Sequence, residues 1–297
     1  MKVLVAGGSG LIGRAVVGTL RQRGHDVRLL VRRPATEGHQ VSWDPDHGGP
    51  PVEAVAWADA VISLNGASLT KLPWTGAYRR MIRDSRLAPT SLLARAIAAS
   101  GGPKVWVSAS AVGVYGDRPG EVLTEDSARG TGFLADVVAD WEQATLPAAG
   151  ATRVVLARTG VVLGSDGALK PLLRLARHHL GGEIGDGCQH WPWISLADEA
   201  EAIVHLVEDS QLSGPVNLVA PTSATAGDLT RAVARMLHRP HLVPAPKRIL
   251  RAVLGDAAEG LLLADQWVRP ARLLDEGRFR FSHSDLPAAL AAAIPAD

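Results

Sequence analysis

Three glycines spaced by three, Gly7, Gly10 and Gly13, stand where a chain could lay its backbone against a pyrophosphate. A glycine has no Cβ, so phosphate oxygens can reach the peptide N–H groups. The N-terminus of a following helix adds free donors and positive potential. Gly8, Gly10 and Gly13 also satisfy the G-x-G-x-x-G spacing of dinucleotide sites. Ser9, Leu11 and Ile12 fill the stretch and supply its other backbone contacts. Gly10 is expected where a Cβ would meet the pyrophosphate or the closing strand. Such a turn needs a strand before it and a helix after it. Lys2-Val3-Leu4-Val5-Ala6 is apolar and reads as a buried parallel strand, and Arg14 to Arg23 reads as an amphipathic helix ending at Gly24.

Arg32 lies 19 positions after Gly13 (32 minus 13), just past a second strand at Asp26 to Val31. An acid near there would bind the ribose 2′-hydroxyl of NAD. Arg32 and Arg33 stand there instead, and guanidinium groups suit a 2′-phosphate, so NADP(H) is the expected cofactor. Ser108, Ser110 and Tyr115 lie at and after the end of a strand at Lys104 to Ser108, where catalytic groups sit. Glu125-Asp126 follows as a loop pair that caps or solvates more readily than it donates protons. Arg79, Arg83 and Arg86 share one helix face, which reads as solvated apart from Arg86. Gln189, His190, Trp191 and Trp193 form an aromatic and polar cluster. It reads either as a pocket wall or as core, and His190 has no partner at metal-ligand spacing.

These groups sit in an alternation of strands and helices. Strands are expected at Asp59–Leu64, Lys104–Ser108, Arg153–Arg158 and Val216–Val219, with a short one around Val41–Trp43. Helices are expected at Ala77–Ala99 (stopped by Gly101-Gly102), Gly132–Leu146, Pro171–His179, Asp228–Leu237 and Lys247–Leu254, and Ile194 to Glu208 leads into another. The pattern predicts an α/β, doubly wound parallel Rossmann sheet with a smaller C-terminal lobe. The 297 residues suffice for that, and the formal net charge of +1, with no basic run or basic helix face standing out, argues against nucleic acid. A single cysteine, Cys188, excludes an internal disulfide framework and a cysteine zinc site, and fits a reducing cytoplasm. The first apolar stretch is too short for a signal peptide, and no run reaches membrane-spanning length.

Further marks stand in order: Ser85-Arg86 with Thr90, S-A-S-A-V-G-V-Y-G at Ser108 to Gly116, and Asp140-Trp141-Glu142. Then come R-T-G-V-V-L-G at Arg158 to Gly164, W-P-W-I-S at Trp191 to Ser195 with Asp198, and Q-W-V-R-P-A-R-L-L at Gln266 to Leu274. With the glycine turn, they make the chain resemble, nearly end to end, the extended or atypical short-chain dehydrogenase/reductases of the NAD-dependent epimerase/dehydratase superfamily. The particular likeness is to its "epimerase family" branch, which carries a C-terminal extension of unknown role. The resemblance implies backbone contacts from Leu64-Asn65 to the cofactor, with Arg86 pointing at it. It implies a pocket wall at Gln189, Trp191 and Trp193. It also implies Ser110, with Ser108, bonded to a reacting oxygen, and Tyr115 lining the pocket. The usual Tyr-x-x-x-Lys pair is replaced by Phe133 and Val137, neither of which can move a proton, which leaves water, Tyr115 or a substrate group as the proton source. The implied organisation is an NADP-binding domain over 1–164 and a substrate lobe over 165–297, with elements around 193–220 returning to the first. The implied function is an NADP(H)-dependent oxidoreductase- or epimerase-like enzyme on a small carbonyl or hydroxyl substrate, a monomer or homodimer with neither nucleic acid nor membrane as partner. The alternative is a non-catalytic NADPH-binding sensor or scaffold.

Overall fold

The structure, a computed structural model, describes residues 1–101, 103–209 and 211–294. Gly102, read above as part of a helix stop, lies outside the described residues. Eleven strands are assigned among the described residues: β1 Lys2–Ala6, β2 Asp26–Val31, β3 Gln40–Ser42, β4 Ala60–Ser63, β5 Val105–Ala111, β6 Val122–Leu123, β7 Arg153–Thr159, β8 Val161–Leu163, β9 Trp193–Ser195, β10 Gly214–Leu218 and β11 Trp267–Val268. The principal helices are α1 Leu11–Gln22, α2 Val52–Trp57, α3 Gly76–Ala99, α4 Phe133–Gln143, α5 Leu169–Arg177, α6 Leu196–Glu208, α7 Ala226–Met236 and α8 Lys247–Leu254.

Seven strands form one sheet in the order β10-β7-β5-β4-β1-β2-β3, every neighbouring pair parallel. Helices cover both faces, which is why β1 is apolar along its length rather than alternating. Val3, Val5, Ile62 and Val107 pack on the face of α1 and α6, whereas Leu4, Ala6, Val61 and Trp106 pack on the face of α2 and α3. β10 is an edge strand beside β7, and α6 lies against α1. The C-terminal lobe has its own core, in which Leu173, Trp191, Trp193, Leu229 and Val233 pack with Leu290 of the helix Leu286–Ala293.

Two short parallel pairs, β8 with β9 and β6 with β11, bind the lobe to the sheet. They have three and two residues per strand, too few for a period of two to show in sequence. The lead-in at Ile194 is such a strand, ended by Ser195, whose hydroxyl caps α6 by accepting the Asp198 N–H at 3.0 Å. On the face of α3 read as solvated, the arginine side chains are open to solvent and held in surface ion pairs. Arg79 pairs with Asp256 and covers the Phe133 ring, and Arg83 pairs with Asp140.

Candidate functional site

β1 delivers the chain into a turn at Gly7, whose φ of 80° is the left-handed region that favours glycine. The Gly10 N–H closes the turn on the Gly7 carbonyl at 3.1 Å. Gly10 then caps α1 with no side-chain bond and no acid in the first turn. The first intrahelical bond is donated by Arg14, at 2.9 Å to Gly10. The N–H groups of Leu11, Ile12 and Gly13 therefore have no intrahelical acceptor, the condition for an anion cradle. Two glycines are steric necessities. A Cβ on Gly13 would stand 2.2 Å from the Gly7 carbonyl oxygen, and one on Gly7 would stand 2.7 Å from Leu64. The contact with the closing strand expected of Gly10 thus belongs to Gly7. A Cβ on Gly10 meets only the Gly7 oxygen, at 3.4 Å, and otherwise faces open space beside exposed Ser9.

Ala6 pairs with Leu30 across β1 and β2, so the end of β2 lies beside the turn. Arg32 and Arg33 follow it, both exposed. Arg33 donates to Thr36 at 3.1 Å, and neither arginine makes an ion pair among the described residues. On the other side, the Leu64 N–H at the end of β4 donates to the Ala6 carbonyl at 2.9 Å. Asn65 follows with its Oδ1 buried and without a partner among the described residues, a cost the fold bears unless something donates to it. Arg86 braces this loop from behind. Its guanidinium donates to the carbonyls of Ile82 (2.9 Å) and Ala67 (3.2 Å) and lies over Trp141. Burial lowers its pKa to about 10, so it stays charged at neutral pH. Its donors serve the backbone around Asn65 and Gly66, which makes it a positioning residue in this arrangement.

The end of β5 differs most from expectation. Ser108 has no exposed surface, and Ser63 Oγ donates to it at 3.4 Å. Ser110 is 4% exposed, and its Oγ donates to Glu142 Oε1 at 2.6 Å. Glu142 in turn takes two bonds from Arg158, Nε to Oε1 at 2.8 Å and Nη2 to Oε2 at 2.9 Å. Arg158 Nη1 donates to the Tyr115 hydroxyl at 3.0 Å, and that hydroxyl donates to Asn217 Oδ1 at 2.7 Å. Burial alone would lower the Arg158 guanidinium, but its bonds to Glu142 outweigh it and raise it. Burial raises the Tyr115 phenol against the opposing charge of Arg158, so it keeps its proton. Tyr115 is 0% exposed. The roles expected of Ser108 and Tyr115 are therefore corrected, since neither has surface a substrate could touch. Ser110 has a single proton, and Glu142 holds it.

Other expectations shift for the same reason. Glu125 does not solvate its loop but binds backbone donors, one of them in the first turn of the helix Ala271–Asp275. It is buried, accepting the N–H groups of Asn217 (3.0 Å) and Arg272 (3.3 Å) on Oε1, and burial raises its carboxyl. Phe133 lies edge-on to Trp74, and Val137 is buried. Trp191 and Trp193 are 6% and 1% exposed, and Gln189 donates to the carbonyls of Ile184 and Leu262. Both indoles pack in the core of the lobe and also line a small cavity with Pro192, Ala220 and Val268. His190 is held by Asp265 at 2.8 Å and stacks on Trp267, ring centroids 5.0 Å apart. Trp267 is the open aromatic of this region, 40% exposed, and it lines a depression of about 480 Å³ with Val122, Thr222, Ser223 and Arg269. In the sequence Glu142, Arg158 and Trp267 stand only within longer marks. Nothing in their spacing tells a network or an open ring from core.

A parallel doubly wound sheet with an uncapped glycine turn at the carboxyl end of its first strand defines a dinucleotide-binding Rossmann protein. Comparison with known proteins places it further. Residues 3–219 match the NAD dependent epimerase/dehydratase family and residues 245–293 match a domain of unknown function, DUF1731. The chain belongs to the NAD dependent epimerase/dehydratase family. It is 41% identical to epimerase family protein ML0860 of Mycobacterium leprae, over 98% of this chain and 95% of that one. It is similar to the crystal structure of human epimerase family protein SDR39U1 (isoform 2) with NADPH, with a TM-score of 0.89, 35% identity and 99% of each chain covered. It shares its fold with the UDP-glucose 4-epimerase of Thermus thermophilus, at a TM-score of 0.77 and 20% identity, over 99% of this chain and 97% of that one.

Proposed function

We propose that this chain binds NADP(H) on the Gly7–Gly13 turn and acts on a small carbonyl or hydroxyl compound, as an oxidoreductase- or epimerase-like enzyme. The observation that carries the cofactor is the pair Arg32 and Arg33, free of ion pairs beside the uncapped turn, with no acid in the ribose position. The NADPH bound to the human relative supports it. Bound there, the nicotinamide supplies or accepts a hydride. The Leu11, Ile12 and Gly13 N–H groups hold pyrophosphate oxygens, and buried Asn65 Oδ1 fits a ribose hydroxyl donor. The lobe over 165–297 supplies the substrate side, and the depression over Trp267 is the candidate pocket. A good contact to the 2′-phosphate contributes about 1.5–3 kcal/mol, or roughly tenfold to a hundredfold in affinity. Calorimetric titration is expected to show that preference for NADPH over NADH, and the Arg32→Ala/Arg33→Ala double variant should lose it. Equal wild-type affinities overturn the reading.

A second reading, a non-catalytic NADPH-binding sensor or scaffold, is favoured by the burial of Ser108 and Tyr115 together with the Phe133 and Val137 replacements. Ser110 separates the two. As an enzyme, the protein polarises the reacting oxygen with Ser110 after its hydroxyl turns from Glu142, and an oxygen-binding donor is often worth ~10²–10³ in rate. Ser110→Ala should then abolish most NADPH turnover against a panel of ketones, quinones, enones and sugar nucleotides. The pH profile should lack a tyrosine step. Tight NADPH binding with no turnover across the panel supports the sensor.

A further inference from the structure

The C-terminal lobe carries a surface unlike the rest of the molecule. No acid occurs between Asp228 and Asp256, whereas five arginines and a lysine do. α5 and α7 pack together, and their C-terminal ends converge. The chain after α5 accepts at Gly181 from the Leu242 N–H (2.9 Å) and the Val243 N–H (3.0 Å), both from the loop between α7 and α8. Each helix ends on an exposed histidine in the left-handed region, His179 at φ 62° and His238 at φ 52°. α8 follows that loop and has no buried residue.

Two kinds of side chain cover this surface. Large aliphatics are exposed on its elements, Leu242 at 79%, Val253 at 64% and Ile249 at 57%, together with Leu175 of α5, Leu180 and Val243. Arg174 and Arg177 at the end of α5, Arg235 and Arg239 at and just past the end of α7, and Arg248 at the start of α8 are exposed too, none in an ion pair among the described residues. Other cations of the lobe are matched: Arg231 pairs with Glu183, Lys247 with Asp186 and Arg251 with Glu259. An unmatched cluster of guanidinium groups asks for phosphate or carboxylate. Aliphatic tips among them ask for a partner that is apolar just behind its charged layer. A nucleic acid offers phosphate without an apolar layer, and a bilayer of anionic lipid offers both. No described helix is long and apolar enough to cross a membrane, so the contact is interfacial.

We propose that this face of the C-terminal lobe docks on the surface of an anionic bilayer, its aliphatic tips entering the interface while its arginines pair with lipid phosphates.

The test is co-sedimentation of the full chain with vesicles of phosphatidylcholine alone, or with about 30% phosphatidylglycerol. Binding is expected to the anionic vesicles and to fall at least ~tenfold on the neutral ones and in 0.5 M salt. Each arginine replaced (Arg174→Gln, Arg177→Gln, Arg248→Gln) should weaken it about fivefold. Leu242→Asp with Ile249→Asp should abolish it while leaving NADPH affinity unchanged, which shows that the variants fold. Binding that ignores lipid charge, or that survives the double aspartate variant, overturns the proposal. So does an absence of vesicle binding, whether the chain dimerises through this face or is captured by an acidic protein instead.

Discussion

Gly10→Val is expected to lose NADPH binding by more than about a hundredfold while the protein stays folded. The backbone at Gly10, φ −70° and ψ 173°, suits a valine. Its Cβ would meet one atom, at 3.4 Å. The added methyls stand at the N-terminus of α1, where the pyrophosphate is proposed to lie. The cost to the fold is then little more than a poor helix cap, about 1 kcal/mol. Gly13→Ala is the opposite case. Its single Cβ stands 2.2 Å from a carbonyl oxygen of the turn, so the helix must move from the strand and stability falls by several kcal/mol. Thermal unfolding with calorimetric titration separates the two. A Gly10→Val protein that binds NADPH like wild type would remove the cofactor from this turn.

Glu199→Gln is expected to stabilise the protein, increasingly so at high pH. Glu199 is fully buried on α6. Among the described residues its one side-chain partner is the Thr159 hydroxyl, 2.8 Å from Oε1, and Oε2 has none. Burial raises its pKa to about 8, against the smaller opposing effect of Thr159. The folded pKa therefore lies above the unfolded one, about 4.3. Below that value both states are protonated and the group is neutral for stability. Between there and about 8 the unfolded chain releases the proton and the folded one does not, so stability falls with pH, and it levels off above. The loss totals about 3–5 kcal/mol. Glutamine keeps the acceptor and cannot ionise. The gain of Glu199→Gln over wild type, from denaturant unfolding, should be larger at pH 8.5 than at pH 4.5 by that amount. Parallel curves for the two proteins would show that Glu199 is ionised in the folded state.

The glycine turn was legible because its information is local. A strand, a turn and a helix in succession, with glycines where a Cβ would strike backbone, need no distant partner to be recognised. The arginines after β2 were legible for the same reason. Ser108, Ser110 and Tyr115 were not, because their state depends on what covers them. Glu142 and Arg158 approach Ser110 from α4 and β7, and Asn217 reaches Tyr115 from β10. Trp191 and Trp193 posed the same ambiguity, since an indole serves a pocket wall and a core equally well, and only neighbours decide.

The two sequence families met along the chain do not correspond to two bodies. Asp198, at the start of α6, accepts the backbone N–H groups of Ser282 (2.7 Å) and His283 (3.0 Å) from far downstream. The same helix lies on α1, and β10 fills the sheet's edge after the chain has already visited the lobe. Melting is consequently expected as a single cooperative event, with calorimetric and van't Hoff enthalpies in agreement. A chain cut at residue 164 should yield two insoluble fragments rather than two working modules. An architecture interlaced in this way can gain partners at its ends, but it cannot exchange its halves with another protein.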